Sequence, residues 1–317
     1  MSLEHEGVRD WSFRTAPGSW NYWKCTECGS LILNPRPTAV TIGRAYGTYY
    51  THGTSVLGVL GSLKARLRNE FLSQQLGTDI GPRLRSGTWR ALLAPWRRVV
   101  RVPFALRELA RLSPGFLMDV GCGNGGLLRI AKALDWRVLG LEIDPAALEP
   151  ARADGLTVLE GSYEELAQFK DTFDCIVCSH VLEHVHTPDD LVAKLAEALR
   201  DGGTLILSLP NASSAMRRHF GVNWRGLEAP RHISLPSAVQ LRRVLEAHGL
   251  PVVRTGARNG SIATAAESMR IRRRAMSINW RDRLAAWVLR VTTGPLSVET
   301  SDFIEFVCVK QRGGDVQ

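Results

Sequence analysis

Asp119-Val120-Gly121-Cys122-Gly123-Asn124-Gly125-Gly126 is the stretch on which the architecture turns. Ahead of it, the short apolar run from Phe116 to Val120 predicts a strand; behind it, Leu127, Leu128, Ile130, Ala131 and Leu134 recur at helical spacing. In a doubly wound sheet such a turn stands at the carboxyl end of the first strand, where glycines let backbone approach a ligand. Gly121, Gly123 and Gly126 also satisfy the dinucleotide pattern G-x-G-x-x-G, a weak signal by itself. Glu142 closes the next predicted strand, 23 residues after Asp119, where a carboxylate can accept hydrogen bonds from ribose hydroxyls.

Outward from this unit the strand and helix patterns keep alternating. Trp136 to Ile143 reads as the second strand, followed by Asp144-Pro145, an N-cap with proline at the first helical position. Leu156 to Leu159 is the third strand, and Ser162 with Glu165 has the spacing of a capping box opening a short helix. Asp174 to Ser179 is the fourth. The helix that starts at Thr187-Pro188 sets Leu191, Leu195 and Leu199 on one face and is expected to stop at Gly202-Gly203. Thr204 to Leu209 is the fifth strand. Pro236 to His248 predicts a helix with Val239, Val244 and Leu245 inward, and Pro251 to Thr255 a sixth strand. A parallel sheet covered by helices on both faces follows, because each parallel crossover must be long and right-handed. The last strand, Phe303 to Lys310, comes after an insertion instead of a tight crossover, so an antiparallel entry beside the sixth is expected.

Four motifs in fixed order resemble a known family. They are Leu117 to Gly125, Gly140-Leu141-Glu142-Ile143-Asp144, Phe173-Asp174-Cys175-Ile176-Val177-Cys178-Ser179-His180-Val181-Leu182-Glu183-His184-Val185, and Leu199-Arg200-Asp201-Gly202-Gly203-Thr204-Leu205. Together they are similar to the class I S-adenosylmethionine (SAM)-dependent methyltransferases, over about Gly115 to Lys310. The resemblance implies a Rossmann-like α/β fold, doubly wound and seven-stranded with an antiparallel last strand, and S-adenosyl-L-methionine as cofactor. It implies that Asp119, Gly121, Cys122, Gly123 and Asn124 form the turn against the methionine and ribose parts, that Glu142 takes the ribose hydroxyls and that Ile143 packs on the adenine. Ser179, His180 and Val181 would line the cofactor at the end of the fourth strand. Where many members carry an acidic residue after the third strand, this chain has Ser162 followed by Tyr163, a departure at the adenine contact.

Methyl transfer from a sulfonium is an in-line displacement, and an alcohol acceptor must also lose its proton. Histidines suit that task. His180, His184 and His186 follow the fourth strand, and His232 lies in Pro230-Arg231-His232-Ile233-Ser234-Leu235-Pro236. The segment from Trp224 to Pro236 resembles the lid of small-molecule and sugar methyltransferases, where a histidine reaches the acceptor, so His232 is the expected catalytic base. The expected activity is O-methylation of a small-molecule acceptor, a sugar or a secondary or cell-surface metabolite.

The 317 residues, 44% of them hydrophobic, can bury one large core with appendages. The texture divides at 1–55, at 56–112 and at 113–317, with an insertion at 257–302. In the first zone Tyr22-Trp23-Lys24-Cys25-Thr26-Glu27-Cys28-Gly29, ahead of Asn34-Pro35-Arg36-Pro37, resembles the second half of a zinc knuckle or ribbon. A structural zinc site needs four ligands, so a remnant or a late start site is expected, with His5 and His52 the other candidates for completing it and no metal assigned. Cys175 and Cys178 share the spacing but fall in a buried strand, where residues three apart face opposite ways. The middle zone is basic and helix-like, and it and the insertions are expected to form a helical lid.

The net charge of +9 allows a nucleic-acid partner or a membrane surface as well as an anionic substrate. Eight arginines against the single acid Glu108 run from Arg83 to Arg111, interleaved with Trp89, Trp96 and Phe104, and a second knot joins Arg270, Arg272, Arg273 and Arg274. Against a nucleic-acid methyltransferase, Ser179-His180-Val181-Leu182 stands where base-methylating enzymes carry an Asn/Asp-Pro-Pro run. A non-catalytic SAM-binding or membrane-surface scaffold is the other alternative, since Trp96 to Arg111 and Trp280 to Val291 mix aromatic, aliphatic and basic residues. No apolar run approaches the roughly 18 residues of a spanning helix, and Met1 to Asp10 is unlike a secretory signal. A cytoplasmic protein is expected.

Overall fold

The computed structural model describes residues 1–46, 59–80, 102–258, 262–292 and 297–312. Its strands, in chain order, are β1 (Ser2–Val8), β2 (Trp20–Lys24), β3 (Leu31–Leu33), β4 (Phe116–Val120), β5 (Arg137–Glu142), β6 (Val158–Glu160), β7 (Phe173–Ser179), β8 (Leu199–Pro210), β9 (Ser234–Leu235), β10 (Val252–Arg258) and β11 (Phe303–Val309). The helices are α1 (Ala39–Ile42), α2 (Val59–Leu76), α3 (Phe104–Leu109), α4 (Gly126–Ala133), α5 (Pro145–Ala153), α6 (Pro188–Ala198), α7 (Ala215–Phe220), α8 (Ala238–Ala247), α9 (Ile262–Arg272) and α10 (Trp280–Thr292). None of them is long and apolar enough to cross a membrane.

Seven strands form the main sheet in the order β10-β11-β8-β7-β4-β5-β6. β4 is parallel to both β5 and β7, so the strand order reverses beside it; β11 enters antiparallel between β8 and β10. The alternation of each strand sends side chains to two cores. Met118, Val120, Ile176 and Cys178 meet Leu191 and Leu195 of α6 and Leu241 and Leu245 of α8 on one face. Leu117, Cys175 and Val177 meet α3, α4 and α5 on the other. Cys175 and Cys178 accordingly sit in different cores, as their spacing predicts.

Four local readings need correction. Ser162 caps a 3₁₀ turn, Tyr163–Gln168, without a side-chain bond, so the capping box is not made. α6 stops at Ala198 and β8 begins at once, which places Gly202-Gly203 inside a strand and not at a helix end. Val239 faces outward on α8, where Leu241 is the inward residue. In the basic zone 56–112, α3 lies on the sheet and not in the lid, buried by Phe104, Ala105, Leu106 and Leu109. Arg107, Arg111 and Arg254 converge there on the buried Glu108. Trp89, Trp96 and the arginines from Arg83 to Arg101 lie outside the described residues.

A third core belongs to neither face of the main sheet. β1, β2, β3 and β9 make a small antiparallel sheet, in which Leu31 pairs with Leu235 and Ile32 with Ser234. Val8, Tyr22, Leu31 and Leu33 pack there against Met216, Phe220, Trp224, Leu227 and Ile233 of the first insertion and Ala265, Ala266 and Ala286 of the second. The N-terminal segment and both insertions thus form one lid body. The arginine knot serves it from within. Arg270 is buried on Glu267 and the Trp11 carbonyl, Arg273 pairs with Asp282, Arg272 stacks on Phe220 and Arg274 on Trp11.

Candidate active site

Between the carboxyl ends of the main-sheet strands and the lid lies a cavity of about 1200 Å³. The sheet contributes Gly121, Glu142, Ile143, Ser179, His180 and Val181, the turn after β6 contributes Ser162 and Tyr163, and the lid contributes Trp224, Glu228 and His232. Asp119, Cys122, Gly123 and Asn124 stand behind this wall, so of the expected cofactor residues the structure brings eight to the cavity and leaves these four outside its lining.

The wall is held by backbone. Gly121 has φ of +73°, and a Cβ there would stand 2.5 Å from Val181 Cγ2. Glu142 is pinned through three amides: Gly123 donates to Oε2 at 2.9 Å, Ile143 and Asp144 to Oε1 at 2.9 and 3.0 Å. A carboxylate fixed in this way keeps lone pairs for a diol facing it. Ile143 turns an exposed apolar side chain into the same opening. Cys122 instead points into the core beside Gly140, and Asn124 reaches Arg129 through its carbonyl. Asp119 is buried, and desolvation followed by the Glu142 charge raises it to about 8. Tyr163 reaches across the mouth, its hydroxyl 2.7 Å from Thr187 Oγ1 and donating to Asp190 at 3.0 Å. Tight backbone, a diol-accepting carboxylate and an apolar flank fit an adenosine ligand.

At the lid end the charged groups are buried. His232 lies 2.8 Å from the Gly226 carbonyl through Nδ1, with Nε2 turned toward Glu228 Oε2 (3.7 Å) and Glu183 Oε1 (4.0 Å). Burial lowers His232 to about 4, against the pull of Glu228, so its ring is neutral with a free lone pair at pH 7. The ring of His184 stands edge-on to it at 4.7 Å. Burial would raise the Glu183 carboxyl, but its bond to His180 and the neighbouring His184 and His232 outweigh that and hold it below the usual range. His180 adopts φ of +58° to make this bond at 3.1 Å. His186, by contrast, bonds the Pro37 carbonyl.

Two residues here were not expected. Arg231 is fully buried, pairing with Asp10 at 2.6 Å and Glu228 at 3.2 Å and donating to the Ala45 carbonyl at 3.0 Å, which ties the N-terminal segment to the loop carrying His232. Glu183 falls inside the fourth-strand motif, and its signal in the sequence is a charge four residues past an apolar strand and next to a histidine. The Cys25 and Cys28 thiols gain no third ligand among the described residues: His5 is buried against Arg217 on β1, and His52 lies outside them. The zinc-knuckle reading is therefore not supported.

A family model described as a methyltransferase domain matches residues 96–255. The mitochondrial ubiquinone biosynthesis O-methyltransferase of Schizosaccharomyces pombe is 35% identical over 110 residues, 32% of this chain and 40% of that protein. The ubiquinone biosynthesis O-methyltransferase of Xanthomonas campestris pv. campestris (strain B100) is 32% identical over 123 residues, 37% of this chain and 51% of that protein. The chain thus spans about half or less of the length of these relatives. Among solved structures, a SAM-dependent methyltransferase from Archaeoglobus fulgidus aligns over 69% of this chain and 99% of its own, at 16% identity and a TM-score of 0.48.

Proposed function

The chain belongs to the methyltransferase-domain family, and from that premise we propose that it methylates a hydroxyl oxygen of a small-molecule acceptor. Its cofactor is S-adenosyl-L-methionine, which supplies a methyl group already activated on a positively charged sulfur. Glu142 and the Gly121 turn hold the donor, and Ile143 covers its base. His232 is assigned to the acceptor because it lines the lid end of the cavity, its Nδ1 is engaged by Gly226, and its neutral ring keeps an Nε2 lone pair able to take a hydroxyl proton. Trp224 and Glu228 close that end. The relatives' names support oxygen as the methylated atom.

One observation carries the reading. The cavity, about 1200 Å³, exceeds the roughly 300–1,000 Å³ of a pocket for one small ligand, and its two ends come from different bodies, sheet and lid. Donor and acceptor can therefore sit end to end, as in-line transfer requires. Calorimetric titration with SAM and S-adenosylhomocysteine is the first test. Glu142→Ala should weaken SAM binding by about 1–3 kcal/mol. His232→Ala should keep that affinity and lower turnover about 100-fold. Equal turnover would remove His232 from the chemistry; failure of folded protein to bind either sulfur ligand would sink the proposal.

A further inference from the structure

Glu183, His184 and His232 each bring a ligand atom within 4.8 Å of the other two, the one such group of three His, Cys, Asp or Glu among the described residues. Both rings are oriented as metal-binding imidazoles are, with Nδ1 on a backbone carbonyl and Nε2 left over. For His232 that carbonyl is Gly226, at 2.8 Å; for His184 it is Arg231, at 3.1 Å, and the Tyr46 hydroxyl shares the same Nδ1 at 3.0 Å, where it can accept beside the carbonyl. Glu183 is fully buried, its Oε1 beside His180 and its Oε2 without any hydrogen-bond partner. A buried anionic oxygen lacking a donor is unfavourable unless a cation meets it.

We propose that Glu183, His184 and His232 hold a divalent first-row transition-metal ion of the zinc type, with the acceptor's hydroxyl oxygen as a further ligand. Two imidazoles and one carboxylate suit zinc and its neighbours, whereas magnesium and calcium take oxygen donors. Three protein ligands leave a position open, as catalytic zinc sites do. Donor atoms around a tetrahedral zinc stand about 3.3 Å apart; those of this trio lie within 4.8 Å of one another, so the set must draw in around the ion, with Glu183 turning its unpartnered Oε2 to it.

The inference rests on the placing of His232 at the acceptor end and names what its lone pair does there. Bound to the ion, the acceptor hydroxyl loses its proton to water. Its oxygen then forms a bond to the methyl carbon as the carbon–sulfur bond breaks, and S-adenosylhomocysteine leaves with a neutral sulfur.

Full-length protein, stripped with a chelator, is titrated with Zn²⁺ and with Co²⁺, in the wild type and in a Cys25→Ser/Cys28→Ser variant that removes the competing thiols. The expected result is one ion per chain in both, visible cobalt d–d bands, and binding weakened about 100-fold in Glu183→Gln and in His232→Ala. SAM affinity and circular dichroism monitor folding, so that an unfolded Glu183→Gln leaves His232→Ala to decide. Binding that survives both substitutions, or that vanishes in the cysteine variant, would overturn the site. Stripped enzyme with full turnover would overturn its part in catalysis while leaving methyl transfer intact, with His232 itself taking the proton. Ion uptake by a protein that binds SAM but methylates no hydroxyl acceptor would count against the acceptor as ligand and against the proposed function, though not against the three protein ligands.

Discussion

Gly121 and His232 are single residues whose chemistry is set by where the chain puts them. Alanine at 121 faces two penalties at once, a left-handed backbone and a Cβ 2.5 Å from Val181 Cγ2. Gly121→Ala should cost about 1–3 kcal/mol for the backbone alone. Adding Val181→Ala should recover the contact and leave the backbone cost, as urea unfolding of the two variants will show; full recovery would mean that φ is not constrained there. For His232 the folded state takes up its proton near 4 and the unfolded state near 6.5, since burial depresses the folded value. Between those values the unfolded chain binds more protons, so the stability tied to this ring is present above 6.5 and is lost as pH falls through 4. The chelator-stripped wild type should therefore lose up to about 3 kcal/mol relative to stripped His232→Gln over that window, read by denaturant unfolding at stepped pH. The glycine was legible because turn glycines announce themselves in a strand–helix unit. The low proton affinity of His232 was not, since it comes from neighbours far along the chain.

Elements were legible in proportion to how local their causes are. The strands of the main sheet show in apolar runs bounded by Gly, Pro and Asp, and Asp144 does cap α5 by accepting from Ala146. β1 is polar along most of its length, and β9 is two residues long and finds its partner at Leu31, two hundred positions away, so neither carries a local signal. Three residues ahead of β9, Arg231 reads as a surface residue in sequence and is in fact sealed between Asp10 and Glu228. Removing one partner of a buried pair leaves the other charge unpaired, so Arg231→Ala should cost about 3–5 kcal/mol. Because the Arg231 carbonyl meets the His184 ring and β9 follows three residues on, hydrogen exchange at Ile233 and Leu235 should rise more than exchange in β4 or β7. Uniform loss of protection would show that the lid and the sheet unfold as one unit.

At the scale of the molecule, the sheet half of the cavity was readable because four motifs of one family sit on one sheet. The lid half was not, because it is assembled from the N-terminal segment and two insertions that share a core only after folding. That division has an energetic consequence. Glu142 is held by the amides of Gly123, Ile143 and Asp144, whereas His232 is held by Gly226 amid Glu183, Glu228 and His184; the two share no partner among these contacts. Substitutions without a shared partner add within about 0.3–0.5 kcal/mol. The losses in kcat/KM from Glu142→Ala and His232→Ala should therefore multiply in the double variant. Residues that act as a catalytic unit behave otherwise, the second loss costing little once the first is made. A double variant no worse than His232→Ala alone would mean that donor binding and acceptor activation are one cooperative event, and that the lid closes on the acceptor only when Glu142 holds the donor.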